Sequence, residues 1–200
     1  MILIVCLAIG LLLRILGGRK LSDLAHTRIQ GETALLLLLV LQALLPLLRV
    51  VGGAAHAAFY LWLATFPLLA SIAWLNRRQP GMAVLGAGLL LNFVVIAVNG
   101  GMPVLPTAVT AATGTLAALH SIPVGDFVHL IGSGTTRLPW LADVVPVPGP
   151  HWVRSVASPG DCLLFVGVAA YLAGASRDES SKLAPHTQER GSEAESANVE

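Results

Sequence analysis

Charge is what this sequence has least of. Only 12% of its 200 residues are charged, against about a quarter in soluble domains. A water-soluble fold of this length has too few charges to cover itself. Acids are scarcer still in the middle of the chain: between Glu32 and Asp178 there are only Asp126, Asp143 and Asp161. The net charge of +1 supplies no basic stripe, which removes the electrostatic basis for a nucleic-acid partner. Cysteine is nearly absent. Cys6 and Cys162 lie far apart in apolar runs, without metal-ligand spacing, and read as small buried hydrophobes. No glycine-rich phosphate loop and no serine-nucleophile motif occurs, and no cofactor is expected. The opening MILIVCLAIGLLL has neither a positively charged leader nor a small-residue cleavage pattern, so it reads as a retained membrane helix.

What the chain does have is apolar length. Hydrophobic residues make up 55% and mean hydropathy is +0.76. Crossing a hydrocarbon core of roughly 30 Å takes about 20 apolar residues in a helix. Residues 1–18, 33–51, 57–75 and 80–99 approach or meet that length, and a shorter fifth run covers 162–176. Arg14 and Arg49 fall near segment ends, from which long side chains reach the headgroups. Tyr60, Trp62 and Trp74 are placed as an aromatic belt would place them. Pro46 and Pro67 lie within spans, where membrane helices tolerate proline. Gly86 and Gly88 allow close helix contact.

Charge sets the orientation. Arg14, Arg19, Lys20, Arg28, Arg77, Arg78, Arg177, Lys182 and Arg190 fall on one side, and Arg49, Arg137 and Arg154 on the other. The excess of basic residues belongs inside, which puts the N-terminus outside and the C-terminus in the cytoplasm. Five crossings have the same parity. The expected class is all-α: a polytopic transmembrane bundle of about five spans over residues 1–176, with a disordered cytoplasmic tail at 177–200. Residues 100–160 form its one long extracytoplasmic connection. Within it, 107–120 reads as a helix on or dipping into the outer face, with a sixth span over 107–131 as the alternative. The proline-rich stretch 138–160 reads as irregular loop.

The distinctive polar residues all fall on that outer side, in three ordered motifs: LLLNFVVIAVNGGMPV, LADVVPVP and SPGDCLLFVG. In this the chain resembles the bacterial membrane proteins grouped as domain of unknown function 5317. That resemblance spans roughly residues 1–175 and implies a fold type without an activity. A more distant one is to lipoprotein signal peptidases, which carry an Asn-x-Gly element and two outer-face aspartates, the second opening the last helix. Asn99, Gly101, Asp143 and Asp161 stand in that order. The chain departs at Pro159-Gly160-Asp161, where those peptidases have Asn-x-Ala-Asp.

The analogy implies Asp143 and Asp161 as a catalytic dyad, with Asn99, Gly100 and Gly101 as binding residues. Two close carboxylates share a proton, one acting as general base on water and the other as general acid. Each residue also has a plainer reading. Asp161 is a helix-capping acid, and Asp143 is a turn residue or the partner of Arg137 or Arg154. Asn99 with Gly100-Gly101 is then a helix terminus. His120, Asp126, His129, His151 and Asp143 share the outer segment, but their spacing matches no ligand pattern and no metal is expected.

Three classes follow. A structural or partner-binding membrane protein comes first, in contact with the lipid bilayer and with another membrane or secreted protein. An outer-face aspartyl hydrolase is the alternative. A transporter or channel is weakest, because no ionisable residue sits mid-span.

Overall fold

The computed structural model describes residues 2–25, 27–50, 55–115, 119, 128–150 and 154–174. The described chain is mostly helical. Helix α1 (Ile2–Leu16) leads through a short turn of helix α2 (Ser22–Ala25) into α3 (Glu32–Leu44). Pro46 stops α3, since it cannot donate to the ladder, and the chain tightens into a 3-10 segment at Leu45–Val50. Then come α4 (Ala55–Leu75) and α5 (Met82–Asn99). Pro67 sits inside α4, and the Ser71 hydroxyl donates back to its carbonyl at 2.8 Å. The last helix is α7 (Pro159–Gly174).

Two of these helices, α4 and α5, are long and apolar enough to cross a membrane, with mean hydropathy 1.7 and 2.2. Helices α1, α3 and α7 are apolar but shorter.

Helix α5 is the centre of the packing, with α4 on one side and α7 on the other; α1 packs on α7. Gly88 and Gly160 let α5 and α7 meet backbone to backbone. A Cβ at Gly88 would lie 2.6 Å from the Gly160 carbonyl oxygen, and one at Gly160 would lie 1.9 Å from Asn92 Oδ1. Gly86, by contrast, faces α4 at an ordinary 3.5 Å from the Ala73 methyl. The pairs Gly81 with Gly167 and Gly88 with Gly160 make α5 and α7 antiparallel.

Two placements differ from the sequence reading. Arg14 does not reach outward. It is fully buried, donating from Nε and Nη2 to the Lys20 carbonyl (3.0 and 2.9 Å) and from Nη1 to that of Leu172 (3.0 Å). With Arg19, which donates to the Gly174 carbonyl, it satisfies the open C-terminal carbonyls of α7. Trp62 is not a belt residue but core, stacked edge-on against Phe66 at 5.0 Å and buried with Val95 and Ile96. Tyr60 and Trp74 are exposed.

The outer segment carries β structure where the sequence implied none. Strand β1 (Met102–Val104) pairs in parallel with β2 (His129–Ile131), and β3 (Val145–Val147) pairs antiparallel with β4 (Ser155–Ala157). The proline-rich stretch is therefore not wholly irregular, since it holds the paired strands β3 and β4. Of its prolines only Pro146 lies in a strand, on a two-stranded ladder where an absent N–H is tolerated. Within 107–120 a helix does form, α6 (Pro106–Thr113), shorter than the apolar run and with Ala108, Val109 and Ala112 buried. Met102 and Leu141 enter the same buried cluster as Trp62 and Phe66, so this cap is packed onto the bundle. The tail 177–200 lies outside the described residues.

Candidate functional site

The start of α7 is built as a reciprocal cap. Ser158 precedes Pro159, which sits in the first helical turn, where a missing N–H costs nothing. The Ser158 hydroxyl accepts from the Asp161 N–H at 3.0 Å, and Asp161 Oδ2 accepts from the Ser158 N–H at 3.1 Å. This is a capping box with aspartate in the place usually held by glutamate. A third residue closes it. Asn92 on α5 donates from Nδ2 to Asp161 Oδ1 at 2.8 Å, and its Oδ1 accepts from the Ser158 hydroxyl at 3.0 Å.

Asn92 and Ser158 are both buried. Asn92 lies seven residues before the end of α5, about 10 Å along its axis. The start of α7 is therefore sunk below the end of α5, which is why the last helix is short.

Asp143 reaches the same region from the cap. Its N–H donates to the Pro103 carbonyl at 2.8 Å, and its carbonyl accepts from the Leu105 N–H at 3.2 Å. This short parallel bridge holds the residue beside β1. The side chain is 6% exposed and its Oδ1 accepts no hydrogen bond. Burial, and then the negative charge of Asp161, push the Asp143 carboxyl up to about 7. Asp143 thus has neither Arg137 nor Arg154 as an ion-pair partner. The bridging interaction expected from its neighbours in sequence does not form.

Asn99 is a clasp. Its Oδ1 accepts from the Arg137 N–H at 2.9 Å, and its Nδ2 donates to the carbonyls of Arg137 (2.9 Å) and Val95 (2.8 Å). Gly100 adopts φ 76 and donates to the Ile96 carbonyl, as does Gly101, so the pair caps α5. Beside Asn99 opens a cavity of about 220 Å³, with Ser133, Thr135, Thr136 and Arg137 on its polar side. A second cavity, about 540 Å³ and apolar, lies between α4 and α5 near Pro67, Trp74 and Gly86. Neither cavity reaches Asp143 or Asp161.

The structure brings Asp143 and Asp161 into one electrostatic neighbourhood, while Asn99 bonds Arg137 and lines the smaller cavity and Gly100 and Gly101 cap α5. Of the residues considered for a metal, His129 lies on β2, paired with Met102, while His120, Asp126 and His151 fall outside the described residues. Among the described residues no group of three or more His, Cys, Asp or Glu side chains is arranged to hold a metal ion. Asn92 was missed. Its signal was an amide in the middle of an apolar helix, and the Ser-x-x-Asp spacing at 158–161 pointed to the cap it joins.

The first and third motifs meet in one clasp, Asn92 of α5 with Ser158 and Asp161 of α7, while Asp143 of the second is held beside β1. Residues 26–173 match the family of unknown function DUF5317. The chain belongs to this family. The match takes in α3 through α7 and every residue of the Asn92–Ser158–Asp161 clasp. An uncharacterized protein of Thermotoga maritima is 35% identical over 97 residues, covering 46% of this chain and 51% of the relative. The chain therefore spans about half the length of that curated relative. No solved structure matches the chain.

The capping box makes a direct prediction. Both Asp161 oxygens accept, so Asp161→Asn turns one acceptor into a donor facing another donor, and should cost about 1 kcal/mol. Asp161→Ala leaves two buried donors unmet and should cost about 2–3 kcal/mol. Thermal unfolding of the purified variants reads the order. Equal stability of wild type and Asp161→Ala would remove the clasp from the account.

Proposed function

We propose that this chain is a multi-pass integral membrane protein of about five spans whose outer-face cap binds a partner. The observation that carries the membrane reading is α3. None of its residues is buried, and leucines face every direction: Leu36 and Leu37 are 63% and 66% exposed, with Leu39, Val40 and Leu44 also open. A helix apolar all round needs lipid or another apolar surface around it. Leu12, Leu13 and Leu16 of α1, and Leu61, Leu68 and Leu90 of α4 and α5, extend the same exposed surface.

Orientation is supported by where the contacts gather charge. Arg14 and Arg19 donate to the end of α7 and Arg14 also to the Lys20 carbonyl, while beside the α4–α5 turn Gln79 donates to the Arg28 carbonyl and Asn76 pairs with Gln30. The basic residues cluster at that end, and the cap lies at the other. The positive end is the cytoplasmic one. The cap is the partner-binding element on this reading, because it is a packed unit presenting Trp140 and Ile131 at 63% and 57% exposure.

The aspartyl hydrolase draws no comparable support. Both Asp161 oxygens are already engaged, and neither of the two cavities above opens onto the aspartates.

Topology reporters test the proposal. Fusions after Arg78 and after residue 176 should both read cytoplasmic, and one after Pro148 should read external. A cytoplasmic reading at Pro148 overturns the arrangement and returns the sixth span over 107–131.

A further inference from the structure

We propose that the cavity beside Asn99 is a binding site for a phosphate ester, with Arg137 as its cationic donor. The cavity holds about 220 Å³, enough for a small tetrahedral anion and part of its stem. Its polar lining comes from Asn99, Ser133, Thr135, Thr136 and Arg137. Its other wall is apolar, formed by Val98, Leu130 and Ile131. That combination fits an oxyanion carried on an organic group.

Among the described residues, the exposed Arg137 side chain has no hydrogen bond and no ion pair. A cation left without a counter-charge beside a hydroxyl-lined hollow is what an incoming anion completes. The backbone beneath it is held on both sides. Asn99 grips Arg137 through its N–H and through its carbonyl, and Leu138 adopts a left-handed φ of 51. The loop itself is closed by bonds from the Ser133 N–H to Thr136 Oγ1 (2.8 Å) and between the Ser133 and Thr135 hydroxyls (2.9 Å). The hydroxyls are therefore set in place before a ligand arrives, which lowers the ordering cost of binding, and the Arg137 side chain closes on the anion from a fixed backbone.

A planar carboxylate would satisfy the arginine fork alone. A phosphate adds oxygens for the hydroxyls, and so is the better match to this lining. The ester has two sources: a phospholipid headgroup of the outer leaflet or a soluble phosphate ester. Only the lipid source rests on the membrane reading above. The anion chemistry does not, and the topology reporters and the titration described next fail independently.

The test is titration calorimetry of the full chain in neutral detergent. The probes are inorganic phosphate, glycerol 3-phosphate, short-chain phosphatidylglycerol and acetate. A phosphate-bearing probe should bind, and Arg137→Gln should weaken it at least tenfold. Arg137→Lys, which keeps the charge and loses the fork, should fall between the two. Arg78→Gln, which removes a positive charge at the opposite end, should change nothing. Thermal unfolding of both Arg137 variants should match wild type, because Asn99 holds that residue by its backbone. Binding of phosphatidylglycerol alone assigns the site to lipid, and binding of the soluble esters with the same arginine dependence assigns it to a free ester. The proposal is overturned if no phosphate probe binds or if acetate binds as tightly. Equal losses from Arg78→Gln and Arg137→Gln, or unchanged binding by Arg137→Gln, overturn it too.

Discussion

Asp143→Asn should make the protein more stable at pH 8 and leave it unchanged near pH 4. The Asp143 carboxyl is buried, its Oδ1 has no donor, and its protonation is pushed from an ordinary 3.8 up to about 7 by burial and by Asp161. A folded-state pKa above the unfolded one means that the folded protein holds the proton more tightly. The stabilisation that this proton provides is complete below about pH 4 and disappears as the pH rises through about 7. A shift of that size corresponds to on the order of 4 kcal/mol. Relaxation of the cap around an ionised Asp143 reduces it, so about 1–3 kcal/mol is the expected change across the window. Asparagine is neutral at every pH. The wild-type unfolding temperature should fall between pH 5 and pH 8, and that of Asp143→Asn should stay level. A level wild-type profile, or an asparagine variant less stable at pH 8, would show that Asp143 is hydrated or paired when ionised.

Gly160→Ala should be one of the most damaging single methyls in the described chain. The new carbon would lie 1.9 Å from Asn92 Oδ1, 2.6 Å from its Cγ and 2.9 Å from the Gly88 carbonyl oxygen. Two of those atoms belong to the amide that ties Asp161 and Ser158 to α5. Neither neighbour gives way cheaply: one is helix backbone, and the other is a buried side chain with its hydrogen bonds already made. Prying α5 from α7 and breaking the clasp should cost about 3 kcal/mol or more. Gly134→Ala is the control, since nothing lies within 4 Å of a Cβ there and its backbone is ordinary. Expression in membranes and thermal unfolding should separate the two variants. If Gly160→Ala unfolds at the wild-type temperature, the close α5–α7 contact is not what holds the cap to the bundle.

The apolar helices were legible because a stretch such as ETALLLLLVLQAL has no polar face to offer, whatever surrounds it. Composition alone determined that the chain is helical and apolar, and the order of its three polar motifs determined its family. Local rules also reached the Gly100-Gly101 cap and the acidic start of α7, since both depend on residues four or fewer apart.

The rest required distance in sequence to become nearness in space. Asn92 and Asp161 are 69 positions apart, Asn99 and Arg137 are 38, and Arg14 and Leu172 are 158. Nothing in a residue's own neighbourhood reports such a partner. Arg14 looked like a side chain reaching for headgroups because an arginine at the end of an apolar run ordinarily finds water there. It is buried instead because the open carbonyls at the end of α7, together with that of Lys20, offer it acceptors without water. Strands of three residues around prolines left no period to read, and they form only because the bundle and α6 hold their ends together. Whether Asp143 and Asp161 met was likewise a matter of depth. The backbone contact at Gly88 and Gly160 sinks the start of α7 beside Asn92, and that placement decided which acid is capped and which is left without a donor.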